Sequence, residues 1–223
     1  MKKLVVMIGV LCLITFGAGS GYALDMVGKL GVGVDGGIAL PSGGDVTSDS
    51  SFSDYFNLGP SFGLHVDYCV IPELSLRTGF RYTTMKMDDD ANEDISVEPY
   101  FSTPSVYLNG VFNLGSFFKN PDNAFNPYVT AGVGMYFWKV TDDGMNGDAI
   151  VLENNEELSK TSFGLNGGVG FEYFATDALS IFAEGTYDYI FTEDEDTFGK
   201  NFSNLGSIGI RAGLTYHFSL GSE

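Results

Sequence analysis

The chain has 223 residues, with 29 acidic side chains against 11 basic ones and a formal net charge of −18. That balance excludes the basic surface needed to hold a phosphate backbone, so nucleic acid is not an expected partner. It also has 30 glycines, 19 phenylalanines and 12 tyrosines, and after Ala23 no apolar run approaches the roughly 20 residues of a membrane helix, which leaves a soluble β-sandwich or a membrane β-barrel.

Lys2 and Lys3 precede an apolar run from Leu4 to Phe16, and small residues then lead to Gly21-Tyr22-Ala23. This is the pattern of a secretory signal peptide cleaved after Ala23, and residues 24–223 read as one β-barrel domain. Without the leader, 9 basic residues face 29 acidic ones, so the mature charge is 9 minus 29, or −20. Cys69 is then the one cysteine of the mature chain, and no internal disulfide is expected.

Eight segments follow in which residue character alternates with period 2, as side chains do along a strand. The first, Lys29 to Leu40, sets Leu30, Val32, Val34, Ile38 and Leu40 against Lys29, Gly31, Gly33, Asp35 and Gly37. The second, Ser61 to Val70, sets Phe62, Leu64, Val66, Tyr68 and Val70 against Ser61, Gly63, His65, Asp67 and Cys69. In the third, Leu74, Leu76, Phe80 and Tyr82 oppose Ser75, Arg77, Gly79, Arg81 and Thr83. The fourth, Ser105 to Leu114, carries Val106, Leu108 and Phe112 on one face, and Pro104 is expected to weaken its upper end because proline cannot donate to a ladder. The fifth, Tyr128 to Val140, opposes Val129, Val133, Met135 and Phe137 to Thr130, Gly132, Gly134 and Tyr136. The sixth opposes Phe163, Leu165, Val169 and Phe171 to Gly164, Asn166, Gly168, Gly170 and Glu172. The seventh opposes Leu179, Ile181, Tyr187 and Tyr189 to Ser180, Phe182, Glu184, Thr186 and Asp188, and the eighth Ile208, Ile210, Leu214, Tyr216 and Phe218 to Gly209, Arg211, Gly213, Thr215 and His217.

A soluble sandwich would place Thr, Lys and Glu on its solvent faces. Here the second face repeats glycine instead, which suits the crowded interior of a narrow barrel. The connections alternate in length. Those around Pro72, from Gly115 to Phe125 and from Ala175 to Ala178 are mostly short, the middle one being longer than the pattern. Those from Pro41 to Leu58, Lys86 to Pro99, Thr141 to Ser159 and Ile190 to Asn204 are long. Short periplasmic turns and long extracellular loops are the habit of outer-membrane barrels.

The last segment, Arg211-Ala212-Gly213-Leu214-Thr215-Tyr216-His217-Phe218, resembles the C-terminal β-signal of outer-membrane proteins. The resemblance implies that Arg211, Gly213, Tyr216 and Phe218 are read by the barrel assembly machinery. Five residues follow Phe218, a departure from the version that ends in Phe. Asn126-Pro127-Tyr128-Val129-Thr130-Ala131-Gly132-Val133-Gly134 and Leu179-Ser180-Ile181-Phe182-Ala183-Glu184 are similar to the small OmpA-like and OmpX-like barrel domains. That likeness implies an all-β fold, an eight-stranded antiparallel up-and-down transmembrane barrel in the outer membrane, with outer-membrane lipids as partners and no cofactor.

On the expected inward faces, Lys29, Arg77, Arg81 and Arg211 meet Asp35, Asp67, Glu172, Glu184 and Asp188. In a lumen barely wide enough for side chains these form a paired network that fixes register, or else a gated ion path. The four long loops hold 19 of the 29 acidic residues. They make a solvated, self-repelling surface, or one that captures a surface ligand or divalent cations. Neither Asp88-Asp89-Asp90 nor Glu193-Asp194-Glu195-Asp196 has EF-hand spacing. His65 and His217 are the only histidines, both on inward faces and in no catalytic motif, so an enzyme is not expected. The expected function is a non-enzymatic barrel serving envelope structure or surface contact through its loops. The alternatives are a narrow channel for ions or small apolar solutes, as in the OmpW-like barrels, and more remotely a lipid-modifying enzyme.

Overall fold

The computed structural model describes residues 26–48, 50–91, 97–115, 124–152, 155–194, 197 and 202–219. The expected signal peptide, residues 1–23, lies outside them, as do residues 116–123 of the middle turn. Eight strands run in chain order: β1 (Lys29–Pro41), β2 (Gly59–Ile71), β3 (Leu74–Lys86), β4 (Tyr100–Asn113), β5 (Phe125–Thr141), β6 (Ser159–Phe174), β7 (Leu179–Ile190) and β8 (Leu205–Ser219). A single helical turn, α1 (Phe52–Tyr55), lies between β1 and β2. Each strand pairs antiparallel with the next, and β8 returns to β1 to close the barrel.

The register fixes the barrel's shape. Stepping across the ladders from Gly132 through Asn166 and Asp188 reaches Ser207 on β8. Stepping the other way through Asn109, Arg77, Asp67 and Gly31 reaches His217. The two arrivals differ by ten residues on the same strand, and this stagger of eight tilted strands leaves an interior that side chains can fill.

All eight segments keep the expected facing. Outward residues such as Val34, Leu64, Leu108 and Ile210 are more than half exposed. So broad an apolar wall cannot face water and belongs in lipid. Aromatic rings flank it at both ends. Phe125 against Phe171 and Tyr216 against Phe218 sit near the short turns, and Phe163 and Tyr189 against Phe191 near the long loops.

The strands are longer than the alternation suggested. β4 begins at Tyr100 and runs straight through Pro104. Its ladder with β5 skips Thr103 and Pro104 and resumes in the same register, while pairing with β3 continues at Tyr82↔Pro104. A proline without an N–H therefore costs one local gap on one side and leaves the strand intact. The upper ends of the strands pass beyond the apolar wall into a second core formed with the loops.

Candidate functional site

Two structures fill the barrel. In the lower part, period 2 sends every charged strand residue inward, and the circular register brings distant ones together. Arg77 on β3 grips Asp67 on β2 with a two-pronged fork, Nε to Oδ1 at 2.8 Å and Nη2 to Oδ2 at 2.9 Å. Its third nitrogen crosses the lumen to Glu184 on β7 at 3.2 Å. Glu184 also accepts from Arg211 on β8 at 2.5 Å, and Arg211 reaches Asp35 on β1 at 3.4 Å. His65 closes the circuit, with Nδ1 3.6 Å from Asp35 and Nε2 3.9 Å from Asp67. Asp67, Arg77, Glu184, Arg211, Asp35 and His65 thus form a closed ring across the lumen, all of them buried.

Arg81 and Asp188 form a separate pair, at 3.0 and 3.2 Å, with the guanidinium over the Tyr107 ring and the Tyr136 hydroxyl donating to Asp188 at 2.7 Å. Glu172 joins neither group. Near the short turns it accepts from the Ser180 hydroxyl at 2.5 Å and lies 3.3 Å from His217 Nε2, while Ser180 contacts that same nitrogen at 2.9 Å. A hydrolytic relay needs the hydroxyl and the acid on opposite ring nitrogens. Here both sit on Nε2 and Ser180 is fully buried, so this arrangement is a packed polar contact.

Eight of the nine expected lumen charges are therefore paired. Lys29, at the foot of β1 and half-buried, makes no ion pair among the described residues. It stands at the barrel rim, where water reaches it. His65, His217, Tyr136 and Ser180 join these contacts beyond the nine expected charges, and inward parity marks all four. Of the residues read as an assembly signal, Arg211 belongs to the ring and Gly213 packs beneath the Phe182 ring, while Tyr216 and Phe218 face lipid.

The second structure closes the mouth between the long loops. Trp138 on β5 lies between the Phe101 and Phe202 rings, at 6.2 and 5.8 Å with interplanar angles of 22°, and its indole N–H donates to Ser162 at 3.0 Å. Phe52 of α1 drops onto Phe101, edge to face at 4.9 Å, and onto Phe56 at 5.1 Å. Met85, Ile190 and Leu205 complete this core. The turn that delivers Phe52 is capped by Asp54, whose carboxylate accepts the Ser51 amide and hydroxyl, each at 2.8 Å. Those bonds hold Asp54 below the usual carboxylate range. Three of its rings, Phe52, Phe56 and Phe202, come from outside the strands, where no periodicity marks them, and so the cap is not visible in the sequence.

Several of the described acidic loop residues have partners. Lys86 reaches Glu98 at 3.1 Å and Asp89 at 3.2 Å, Lys160 reaches Asp194 at 2.7 Å, and the Glu98 amide donates to Asp143 at 2.9 Å. Among the described residues no group of three or more His, Cys, Asp or Glu side chains is placed to hold a metal ion.

The model of the outer membrane protein beta-barrel domain family matches residues 9–218. The chain belongs to that family. It is an outer-membrane protein, its long loops facing outward from the cell and its short turns inward. Outer membrane protein PagN of Salmonella typhimurium is 28% identical over 137 residues, 56% of this chain and 53% of its own length. The chain thus spans about half the length of the curated relative it matches. Among solved structures, Neisserial surface protein A is similar over 86% of this chain and 99% of its own, with TM-score 0.55 and 20% identity. OprG of Pseudomonas aeruginosa is similar over 88% and 99%, with TM-score 0.53 and 13% identity. The Ail protein of Yersinia pestis, in complex with the heparin analogue sucrose octasulfate, is similar over 86% and 100%, with TM-score 0.50 and 14% identity. At these identities the likeness is one of fold.

Proposed function

We propose that this barrel works without catalysis at the cell surface, contributing to envelope structure and to contact with the surroundings through its acidic long loops. The reading rests on one observation: the lumen is crossed by a buried ring of salt bridges and its mouth is filled by an aromatic core. A barrel filled in this way offers partners its apolar wall and its loops. The wall takes outer-membrane lipids, and the strand from Arg211 to Phe218 takes the barrel assembly machinery.

Ail is the attachment invasion locus protein of Yersinia pestis, and its complex holds a sulfated polyanion. The loops here hold most of a net charge of −18 and would repel such a ligand. Their partner in this reading is a cationic surface. Whole-cell binding to cationic surfaces, with and without each long loop, tests the idea: binding should fall when a loop is removed and the barrel still assembles. Binding that no deletion lowers would sink it. Single-channel steps in a planar bilayer would instead favour the narrow-channel reading, which requires the aromatic cap to open.

A further inference from the structure

Among the described residues the barrel buries five carboxylates, three guanidiniums and both of the chain's histidines. With neutral imidazoles that interior carries 3 minus 5, or −2, and with two protonated imidazoles it carries no net charge. The deficit falls where the histidines are. The ring holds Arg77 and Arg211 against Asp35, Asp67 and Glu184, which is 2 minus 3, or −1, and His65 is its remaining member. Arg81 and Asp188 balance one another. Glu172 has no guanidinium partner among the described residues, and His217 lies 3.3 Å from it. Each unbalanced group is therefore neutral only when its histidine carries a charge.

The placement of the imidazoles points the same way. His65 Nδ1 faces Asp35 at 3.6 Å, while Nε2 faces Asp67 at 3.9 Å and the Thr215 hydroxyl at 3.1 Å. A neutral imidazole would turn a lone pair toward one of these carboxylates, and only the protonated form presents an N–H to both. The other charges facing His65 are Arg77 and Arg81 on β3, which flank its cross-strand partner Gly79, Glu184 on β7 and Arg211 on β8, with Tyr107 of β4 lying over Gly79. The guanidiniums oppose a charge on His65, but all three already face carboxylates. At His217, Ser180 donates its one hydroxyl hydrogen to Glu172, so its oxygen accepts from Nε2. Lys29 and Cys69 stand toward the rim from this imidazole, Asp67 lies across Gly31, and Tyr128 of β5 lies over Gly170. Without a second proton on His217, Glu172 is a buried carboxylate facing a hydroxyl and a neutral imidazole, and apolar interiors disfavour a charge left without its opposite.

We infer that the barrel lumen is a proton-operated lock, with His65 and His217 as its two proton sites. Protonated, His65 ties Asp35 on β1 to Asp67 on β2, and His217 ties β8 to Glu172 on β6. As pH rises through the range in which imidazoles titrate, both protons leave. The ring then returns to −1 and Glu172 keeps the Ser180 hydroxyl as its remaining donor to a charge. A folded state that binds more protons than the unfolded one loses stability as pH rises. The lock therefore holds more tightly on the acid side of neutrality than on the alkaline side.

The test joins nitrogen magnetic resonance of the imidazoles, on the chain assembled in lipid nanodiscs, to urea unfolding from pH 6 to pH 8. In that window histidines are the side chains that ordinarily titrate. At pH 6 both imidazoles should show two protonated nitrogens, and the unfolding midpoint should fall by about 0.5 M between pH 6 and pH 8. Asp35→Asn and Glu172→Gln each remove one carboxylate that a histidine balances. Each should roughly halve the fall, and the double variant should remove it. Folded barrels whose imidazoles are neutral at pH 6, or a wild-type midpoint that stays level or rises from pH 6 to pH 8, would overturn the inference whether or not the variants assemble. So would a fall that the double variant retains in full.

Discussion

Truncating Arg211 tests whether the lumen ring stabilises the barrel by pairing its carboxylates. In the intact protein Glu184 is shared between Arg211 at 2.5 Å and Arg77 at 3.2 Å, and Asp35 between Arg211 at 3.4 Å and His65 at 3.6 Å. Arg211→Ala leaves Glu184 with Arg77 but leaves Asp35 with only an imidazole. One carboxylate is orphaned instead of two, which places the loss near the lower end of the roughly 3–5 kcal/mol for breaking a buried pair. With a urea slope toward the top of the range of about 1–3 kcal/mol per molar, the unfolding midpoint should fall by about 1 M. Trp138, the single tryptophan, reports unfolding by fluorescence from the cap, and gel migration of unboiled samples reports barrel closure. Adding Asp35→Asn removes the orphaned charge and should recover a large part of the loss. An unchanged midpoint for Arg211→Ala would refute this account of the ring.

Phe52→Ala removes a ring that is 2% exposed and costs about 3–5 kcal/mol of packing, but the cost falls on the cap; Trp138 emission should shift to the red and residues 42–58 should become protease-sensitive while unboiled migration is unchanged. Asp194 is held below its ordinary value of 3.8 chiefly by its bond to Lys160, then by the Thr197 amide. A depressed carboxylate pairs fully above its unfolded pKa and lets go as pH falls through the folded one, so the Lys160 contact should persist at pH 4 and weaken below it; a side-chain titration in which Lys160→Ala leaves Asp194 unmoved would contradict this. Phe218→Ala should lower the fraction of chain assembled in cells while leaving detergent refolding of purified protein intact, which separates recognition from folding. Calorimetric titration with calcium should give no saturable heat, since the described loop residues present no ligand set; a saturable isotherm would transfer the loops' function to divalent capture.

Much of this protein is decided locally and was therefore legible. Alternation of Leu64 and Val66 with His65 and Asp67 fixes which side of a strand meets lipid whatever the partner strand, and eight such segments with long and short connections leave few ways to close. The same parity places Arg77, Glu184 and Arg211 inside whatever they contact. At Pro104 the weakening is confined to the β5 side, where the ladder skips two residues, because pairing on the β3 side is continuous.

What parity cannot supply is who meets whom. Arg77 and Glu184 are 107 residues apart and touch only because closure staggers β8 against itself by ten residues. That stagger is a property of the whole ring of strands, and no single strand contains it. It brought His65 between two aspartates, left Lys29 at the rim, and set Glu172 on His217 apart from the other acids. The aromatic cap has the same origin: Phe52, Phe101, Trp138 and Phe202 carry no shared period, and they meet because a closed barrel has one mouth and apolar rings near it gain by leaving water together.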